Sequence, residues 1–527
     1  MNLLDEPWLP VRREKSGRTM IVPWQLTDRI DTDPIIALDT PRADFNGSLV
    51  QFLIGFFQTV FAPESESKWG QYYERPPGHE QLKAAAETYR QAFELDGDGP
   101  RFLQDYNRLE GDVRCIGGLL IDEPGSNTLK ENRDFFIKRG QYPHLGLPAV
   151  IAALITLQTN APSGGAGHRT SMRGGGPLTT LLVPDPLRDP LPVSLWRLVW
   201  LNVLSQRELS AMSGNPAKNQ PADIFPWLAP ARTSERNGGK ETTPIDTHPY
   251  QVYWGMPRRI RLELETLEMG ECPLSRERTL QVEGYRTCNY GVNYTGPWKH
   301  PLSPYSRNND GDYFPVHPQP GGIGYRHWLG FVLGERDGIL PAKVVTNSHA
   351  SRARSRRQTR LWAFGYDMDN MKARGWYESL MPVYHIEDSV RDAFVDDLKG
   401  LTVAATEVAS NLRGQLKKAW FKPRHKVTGD LSFVVEAFWH HTESDFYEHL
   451  EHLRDRLEKG HQARDLRESW FHILRERSVA LFDQWTARGA VENEDPKRIA
   501  VARNELHRFN NKKAILDALR LPKIKTG

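Results

Sequence analysis

The stretch Gly164–Thr180, GGAGHRTSMRGGGPLTT, combines glycine with positive charge and contains no acidic residue. It holds six glycines together with His168, Arg169 and Arg173. Bare backbone next to cations is the chemistry with which many proteins hold phosphate groups. The first hypothesis is therefore a nucleotide-binding loop, and the spacing of the glycines tests it.

Neither common nucleotide-binding motif fits that spacing. A dinucleotide-binding G-x-G-x-x-G motif would use Gly165 and Gly167, but Thr170 stands where the third glycine is needed. A P-loop needs a Gly-Lys pair, which the segment lacks. The remaining explanation for the glycines is the conformational freedom that they give the backbone. Because that freedom costs stability, it is expected where a left-handed turn or the close approach of another molecule requires it. Arg169 and Arg173 are then candidates for phosphate contacts, and a flexible surface loop is the alternative.

A second basic run, HASRARSRRQTR at 349–360, has no acidic residue and contains Arg352, Arg354, Arg356, Arg357 and Arg360. Arginine binds phosphate through two parallel hydrogen bonds. The strand-like LWAFGYDMDN follows directly, and Trp362, Phe364 and Tyr366 alternate as on one face of a strand. Cations beside an aromatic strand suit nucleic acid, whereas a solvated charged loop is the alternative.

Residues that could perform catalysis or bind a metal form no convincing motif. His449 and His452 lie on a predicted helix and lack the spacing of a zinc-binding H-E-x-x-H motif. NNDGDYF at 308–314 lacks the glutamate that closes a calcium loop and is predicted to be a hairpin turn. We expect no cofactor and no metal. One alternative is a metal-dependent nuclease or other hydrolase that binds its metal through Asp367, Asp369 or the histidine-rich helix. A stand-alone RNA-binding protein is a further alternative.

Charge, cysteine count and hydropathy limit the class of protein. The net charge of +3 over 527 residues means that binding to nucleic acid would need local patches. Three distant cysteines argue against a disulfide framework and fit a reducing cytoplasm. The most apolar stretches, Leu49–Ala62 and Val193–Leu204, fall short of the ~20 residues of a membrane span. We expect a cytoplasmic protein without a membrane partner.

The fold class predicted for the elements that carry these residues is α+β. Proline and glycine interrupt the chain up to about Tyr384, which predicts a large, irregular, loop-rich N-terminal body at 1–384. Within it, Phe45–Phe61 is predicted to be a mostly buried helix. In 385–527, apolar residues recur at three- and four-residue steps in four runs, which predicts an all-α four-helix bundle. The runs begin near Val390, Phe446, Leu466 and Ile499.

Four features in this order resemble one known family: NLLDEPWLPV, APSGGAGHRTSMRGGGPLTTLL, GPWKHPLSPY and the C-terminal bundle. Over nearly its whole length the chain looks like the CasA family, the large subunits of type I-E CRISPR Cascade complexes. The resemblance implies a non-catalytic subunit of an RNA-guided antiviral complex. Such a subunit recognises the protospacer-adjacent motif (PAM) in double-stranded DNA from the minor groove and helps to open the duplex for R-loop formation. The implied partners are the guide crRNA, the target DNA, the backbone, small and 5′-handle-binding Cascade subunits, and the CRISPR helicase-nuclease, which the subunit recruits.

The resemblance also implies roles for particular residues. The family's PAM-reading glycine loop falls on five residues: Ser163, Gly164, Gly165, Ala166 and Gly167. Its lysine finger falls on Asn289, which can hydrogen-bond in the minor groove without charge, and Arg286 is a candidate substitute.

The wedge that splits the duplex falls on Asp369 and Asn370. Because an aspartate repels DNA phosphates, the tip is expected at Asn370, Met371 or Lys372. A loop that touches the 5′ handle of the guide RNA falls on three residues: Leu120, Ile121 and Asp122.

Overall fold

The computed structural model describes residues 1–134, 137–165, 167–189, 191–335, 338–351, 359–369, 371–421, 431–487 and 495–522. The chain folds into two compact units. The first consists of Met1–Pro318 and Arg336–Leu380, and the second of Gln319–Glu335 and Met381–Gly527. Each unit is described by itself below.

The helices of the first unit are mostly short and alternate with strands and loops. They are α1 (Ala43–Val60), α2 (Glu66–Glu74), α3 (His79–Glu87), α4 (Ser126–Lys130), α5 (Leu147–Asn160), α6 (Leu195–Leu201), α7 (Gln206–Ser210), α8 (Pro221–Ile224) and α9 (Lys343–Ser351). The mixture of helices and strands confirms the predicted α+β class.

The strands are short apart from two near the end of the unit. They are β1 (Leu9–Arg13), β2 (Gly17–Ile21), β3 (Ile35–Leu38), β4 (Arg114–Cys115), β5 (Leu145–Gly146), β6 (Thr179–Pro184), β7 (Glu241–Thr242), β8 (Arg259–Leu262), β9 (Glu268–Glu271), β10 (Arg278–Val282), β11 (Gly284–Cys288), β12 (Asn293–Tyr294), β13 (Tyr305–Arg307), β14 (Tyr313–Pro315), β15 (Ile339–Leu340), β16 (Thr359–Asp369) and β17 (Lys372–Pro382).

Several small sheets replace one continuous sheet. Their strand orders are β2-β1-β3, β5-β10-β9, β4-β11-β8, β12-β7, β14-β13-β15 and β17-β16-β6. The antiparallel pair of β13 and β14 flanks residues 308–312 and confirms the hairpin predicted for NNDGDYF. Two of these sheets contain candidate residues named above: Arg286 lies on β11, and Arg360 and Asp369 lie on β16.

Helix α1 forms the centre of the first unit and confirms the buried helix predicted at Phe45–Phe61. It packs against α5, which is also buried along most of its length. Phe52 makes edge-on ring contacts with Phe102 and Trp254, each at 5.9 Å between ring centroids. Such aromatic packing adds ~0.5–1.5 kcal/mol per pair beyond the area it buries. The first unit therefore has an aromatic core under its many loops.

The second unit is helical and contains the four periodic runs. Three of them form long helices, and the fourth is divided into two shorter helices. These are α10 (Arg391–Trp420), α11 (Ser432–Glu458), α12 (Arg464–Thr486), α13 (Pro496–Phe509) and α14 (Lys513–Ala518). Helix α10 contacts each of the other four.

Tyr325 shows how Gln319–Glu335 belongs to the helical unit. Its side chain is 1% exposed, and its ring stacks on Phe446 at 4.1 Å between centroids. Its hydroxyl lies 2.9 Å from the Thr442 hydroxyl. Periodicity in the helices does not indicate this packing, because Tyr325 is distant from them in sequence. Among the described helices, none is long and apolar enough to cross a membrane.

Candidate nucleic-acid interface

The glycine segment forms a tight turn directly after α5. The Gly164 N–H donates to the His168 carbonyl at 3.2 Å, and the His168 N–H donates to the Gly165 carbonyl at 3.3 Å. The Arg258 guanidinium, whose residue is 8% exposed, donates to the Pro162 carbonyl at the start of the turn. Burial and the nearby Arg258 charge lower the pKa of His168 to about 4. His168 is therefore neutral at physiological pH.

The three described glycines of this turn have different surroundings. Gly167 has φ +81°, and a Cβ there would lie 2.6 Å from the Tyr290 ring. At Gly164 a Cβ would lie 2.7 Å from the His168 side chain. Gly165 is exposed, and a Cβ there would meet no described atom within 4 Å. Internal packing accounts for Gly167 and Gly164, whereas at Gly165 the open space faces outward. Ala166 lies outside the described residues.

The contact between Gly167 and Tyr290 brings two distant candidate sites together. Strand β11 ends at Cys288, and Asn289 follows on an exposed bend. Tyr290 has φ +61°, an uncommon conformation for a residue other than glycine. Its ring packs on Gly167, so the turn that carries Asn289 lies beside the glycine segment. This adjacency fits the placement of both sites by family resemblance.

Arg286 is engaged within the fold. Its Nε donates to Glu263 Oε1 at 2.8 Å, and its Nη1 donates to the Gly111 carbonyl. A DNA contact would have to displace both partners. The structure therefore gives no support to Arg286 as the substitute for a lysine finger.

The two arginines of the glycine segment have different environments. Arg169 is half-buried and donates from Nε to the Ser234 hydroxyl at 2.9 Å. Arg173 is only 4% exposed and donates to Gln51, Thr179 and Ser303. Burial lowers the pKa of Arg173 to about 10. The predicted phosphate contact of Arg173 is wrong, because the side chain anchors the segment inside the unit.

Of the five arginines in the second basic run, the structure describes only Arg360. Arg352, Arg354, Arg356 and Arg357 lie outside the described residues. Arg360, the second residue of β16, donates to the Leu380 carbonyl at 3.2 Å.

The aromatic residues after the run share one face, as predicted, but most of that face is covered. The rings of Trp362 and Phe364 lie 4.4 Å apart. Phe364 is 1% and Tyr366 is 3% exposed. The idea that these rings stack with nucleic-acid bases is therefore wrong for Phe364 and Tyr366.

The predicted wedge lies at the end of a long hairpin. Strand β16 ends at Asp369 and β17 begins at Lys372, so Asn370 and Met371 connect them. The Asp369 side chain is 60% exposed and lies 3.9 Å from the Arg374 guanidinium. Met371 is 59% exposed. Asn370 lies outside the described residues.

This hairpin and the glycine segment share a scaffold. Strand β6, which follows the glycine segment, pairs antiparallel with β16. A Cβ at Gly176 would lie 2.7 Å from the Tyr366 side chain, so the strand and the segment are in close contact. Midway along β17, a Cβ at Gly47 would lie 2.7 Å from the Trp376 ring. Helix α1 and β6 thus both hold the hairpin.

The predicted guide-RNA loop is tied to the same region. Leu120 is 4% exposed, so its side chain belongs to the core, and the placement of the RNA-contacting loop itself stays a prediction. Ile121 is half-buried. The exposed Asp122 accepts from the Arg42 guanidinium at 2.9 Å. Arg42 also binds Asp44, whose carboxylate accepts from the Tyr366 hydroxyl at 2.5 Å.

The residues weighed for metal binding have other partners. Asp367 is 2% exposed and forms two hydrogen bonds with Arg374, at 2.6 and 3.1 Å. His449 is 7% exposed and contacts the Ser469 hydroxyl at 3.2 Å. Within the described parts of the chain, no group of three or more His, Cys, Asp or Glu residues could hold a metal ion. Asp367 and His449 are therefore engaged by neighbouring side chains.

Comparison with known proteins agrees with this architecture. A family model for the CRISPR-associated protein Cse1 matches residues 2–481. The chain belongs to the Cse1 family. This confirms the resemblance found in the sequence, since one similar solved structure is named both CasA and Cse1.

Solved Cse1 structures share the fold of this chain over almost its full length. The structure of Thermobifida fusca Cse1 matches with a TM-score of 0.70 and 15% identity, over 99% of this chain and 98% of that chain. CasA from Thermus thermophilus matches with a TM-score of 0.67 and 15% identity, over 97% and 99%. A CRISPR RNA-guided surveillance complex contains a chain that matches with a TM-score of 0.64 and 14% identity, over 97% and 99%.

Two features of the interface in this Cse1-family chain were missed in the sequence. Arg258 lies directly before β8, nearly a hundred residues further along the chain, and donates to the Pro162 carbonyl at the start of the glycine segment. The segment 233–242, TSERNGGKET, contacts both Tyr290 and Arg169. In the sequence, the two adjacent glycines between Arg236 and Lys240 indicate a tight turn that carries positive charge.

Proposed function

We propose that this chain is a non-catalytic subunit of an RNA-guided antiviral complex, which recognises the PAM of double-stranded DNA from the minor groove. The contact of Gly167 with Tyr290 is the observation that carries the proposal. It joins exposed backbone at Gly165 and the exposed amide of Asn289 in one surface. The family membership supports the same assignment.

The chemistry of this surface suits the minor groove. That groove is about 6 Å wide, and it presents acceptors at A·T pairs and an additional donor at G·C pairs. Backbone at Gly165 can enter where a side chain would clash. The Asn289 amide can donate to the acceptors or accept from the guanine amino group. Because this pattern is degenerate, we expect the surface to accept several related motifs.

The hairpin of β16 and β17 suits a role in duplex opening. Met371 places an exposed apolar side chain at its tip, and apolar side chains of this kind insert between base steps. Unstacking one step costs a few kcal/mol, which insertion and phosphate contacts can offset. Pairing of the guide RNA with the target strand then proceeds as a nearly balanced exchange of duplexes. We assign the wedge to Asp369, Asn370 and Met371.

The partners follow from the same assignment. One similar structure is an RNA-guided surveillance complex, which supports assembly of this chain with crRNA and with other Cascade subunits. The guide RNA would contact mainly the protein backbone of the loop at Leu120–Asp122, because the Leu120 side chain is buried and the Asp122 side chain is bound to Arg42. We further propose that the chain recruits the helicase-nuclease after the duplex opens.

Replacement of Gly165 by leucine tests the PAM assignment. The added side chain has room in the free protein, so Gly165→Leu should fold normally. In a reconstituted complex it should block the minor groove and weaken binding of PAM-bearing duplex at least tenfold. Gly99→Leu is a matched control, since Gly99 is also exposed and a Cβ there would meet no described atom within 4 Å. Wild-type affinity of Gly165→Leu in a mobility-shift titration would contradict the proposal.

A further inference from the structure

The 233–242 loop packs against both proposed DNA-reading elements. The Ser234 N–H donates to the Tyr290 carbonyl at 3.2 Å, and Thr233 forms a β-bridge with Val292. The Ser234 hydroxyl accepts from Arg169 of the glycine segment at 2.9 Å. The Lys240 N–H donates to the Thr233 carbonyl at 2.8 Å and closes the loop. The loop is therefore the immediate neighbour of the bend that carries Asn289.

The acidic groups of this loop are engaged, whereas its cations are not. Glu235 lies 3.7 Å from Arg259, and Glu241 accepts from the Thr295 hydroxyl at 3.0 Å. Arg236 and Lys240 are exposed, and neither forms an ion pair with a residue that the structure describes. The loop thus presents two available positive charges to solvent.

The backbone makes the tip of the loop compact. Gly238 has φ +80°, which favours glycine. At Gly239 a Cβ would lie 2.2 Å from the Glu235 carbonyl oxygen, so a larger residue would displace the backbone. The two glycines therefore let the chain turn back sharply between Arg236 and Lys240. Both cations stay close to the loop's attachment at Tyr290.

Two of the arginines that the sequence offered near the glycine segment as DNA contacts, Arg286 and Arg173, have internal partners. Asn289 has no charge, Arg286 is bound by Glu263 and the Gly111 carbonyl, and Arg173 is buried. DNA binding nevertheless draws a large share of its affinity from the neutralisation of phosphates by lysine and arginine. We propose that Arg236 and Lys240 bind the phosphates of the DNA strand that borders the PAM. This inference rests on the proposed function and deepens it.

The double variant Arg236→Ala/Lys240→Ala tests the inference in the reconstituted complex. Binding should be titrated on PAM-bearing and PAM-free duplexes at several salt concentrations. Affinity should fall on both duplexes, with an unchanged ratio between them, because phosphate contacts carry no sequence information. The slope of log K against log salt should become shallower by about 0.9 for each lost phosphate contact. The charge-conserving variant Arg236→Lys/Lys240→Arg should restore binding.

A matched control removes two exposed cations from other elements. Lys15, between β1 and β2, and Arg75, after α2, are both exposed, so Lys15→Ala/Arg75→Ala changes the net charge equally. Thermal unfolding should be unchanged in both double variants. A salt slope for the loop variant equal to that of the control would overturn the inference. A changed PAM preference at an unchanged slope would also overturn it, because it would indicate base contacts.

The two proposals fail in different ways. If Gly165→Leu loses PAM binding while the loop variant matches its control, only the phosphate inference fails. If the wild-type complex binds both duplexes equally, the proposed function fails, whereas the salt slope still reports whether the loop contacts phosphates.

Discussion

Arg173 is the residue for which sequence and structure disagree most sharply, and its replacement separates the two interpretations. The sequence places it in a basic, glycine-rich segment that suits phosphate. The structure places its guanidinium in the interior, where it donates to Gln51 Oε1 at 2.6 Å and to the Thr179 and Ser303 hydroxyls at 3.0 Å. Arg173→Met keeps much of the aliphatic volume and removes the charge. We predict a loss of stability without a loss of phosphate contacts.

The size of this loss can be bounded from the contacts. A hydrogen bond to a charged group contributes about 1.5–3 kcal/mol, so the three bonds contribute about 5–9 kcal/mol. Burial opposes them: lowering the pKa of Arg173 to about 10 corresponds to a cost of about 3 kcal/mol. The net loss is therefore about 2–6 kcal/mol. At roughly 2 °C per kcal/mol for a large domain, the Tm of the first unit should fall by about 4–12 °C.

Thermal unfolding of the isolated chain, followed by circular dichroism, measures this effect. Arg169→Met is the control, because Arg169 is half-buried and donates one hydrogen bond, to Ser234. The salt slope of DNA binding by the assembled complex should be the same for Arg173→Met as for wild type. A wild-type Tm combined with a shallower salt slope would refute this account and return Arg173 to the DNA surface.

Two further predictions concern the hairpin tip and the helical unit. Met371→Ala should slow opening of a fully paired PAM-bearing duplex several-fold while PAM binding stays intact, as followed by 2-aminopurine fluorescence beside the PAM. A pre-opened bubble should restore the rate, and failure to do so would argue against a wedge. Burial and the Arg326 charge lower the pKa of His327 to about 4, so folded His327 stays neutral while the unfolded chain takes up a proton below about pH 6.5. Its contribution to stability is therefore lost as pH falls from about 6.5 to about 4. His327→Gln should weaken this pH dependence in urea unfolding by up to about 3 kcal/mol, and an unchanged profile would contradict the assignment.

The helices with periodic apolar residues could be predicted, because the spacing that indicates a helix is visible within a short stretch of consecutive residues. Apolar residues at three- and four-residue steps specified α1 and the helices of the second unit, which bury one face or nearly all faces. The hairpin at NNDGDYF was predictable from its turn residues. The fourth periodic run was predicted as one helix but is divided between α13 and α14 at Asn510–Lys512, since apolar spacing alone does not mark a break.

The candidate site was predictable only in part. Motif resemblance identified the glycine segment and the hairpin tip, because short stretches with particular residue types carry that information. The sequence could not tell the exposed Gly165 from Gly167, which packs on Tyr290. It also could not tell the half-buried Arg169 from the buried Arg173. These residues have similar local sequence, and their environments differ only through contacts with distant strands.

By itself, the sequence determined the α+β class, the helical C-terminal region and the Cse1 family, because periodicity and short motifs are properties of consecutive residues. The tertiary structure alone decided which of the candidate cations are buried or paired within the fold. Burial and ion pairing depend on residues far apart in the chain: Gln51 engages Arg173, Glu263 engages Arg286, and Tyr290 holds the 233–242 loop beside Asn289. A linear pattern cannot specify such partners, since each one is created only when separate segments pack together.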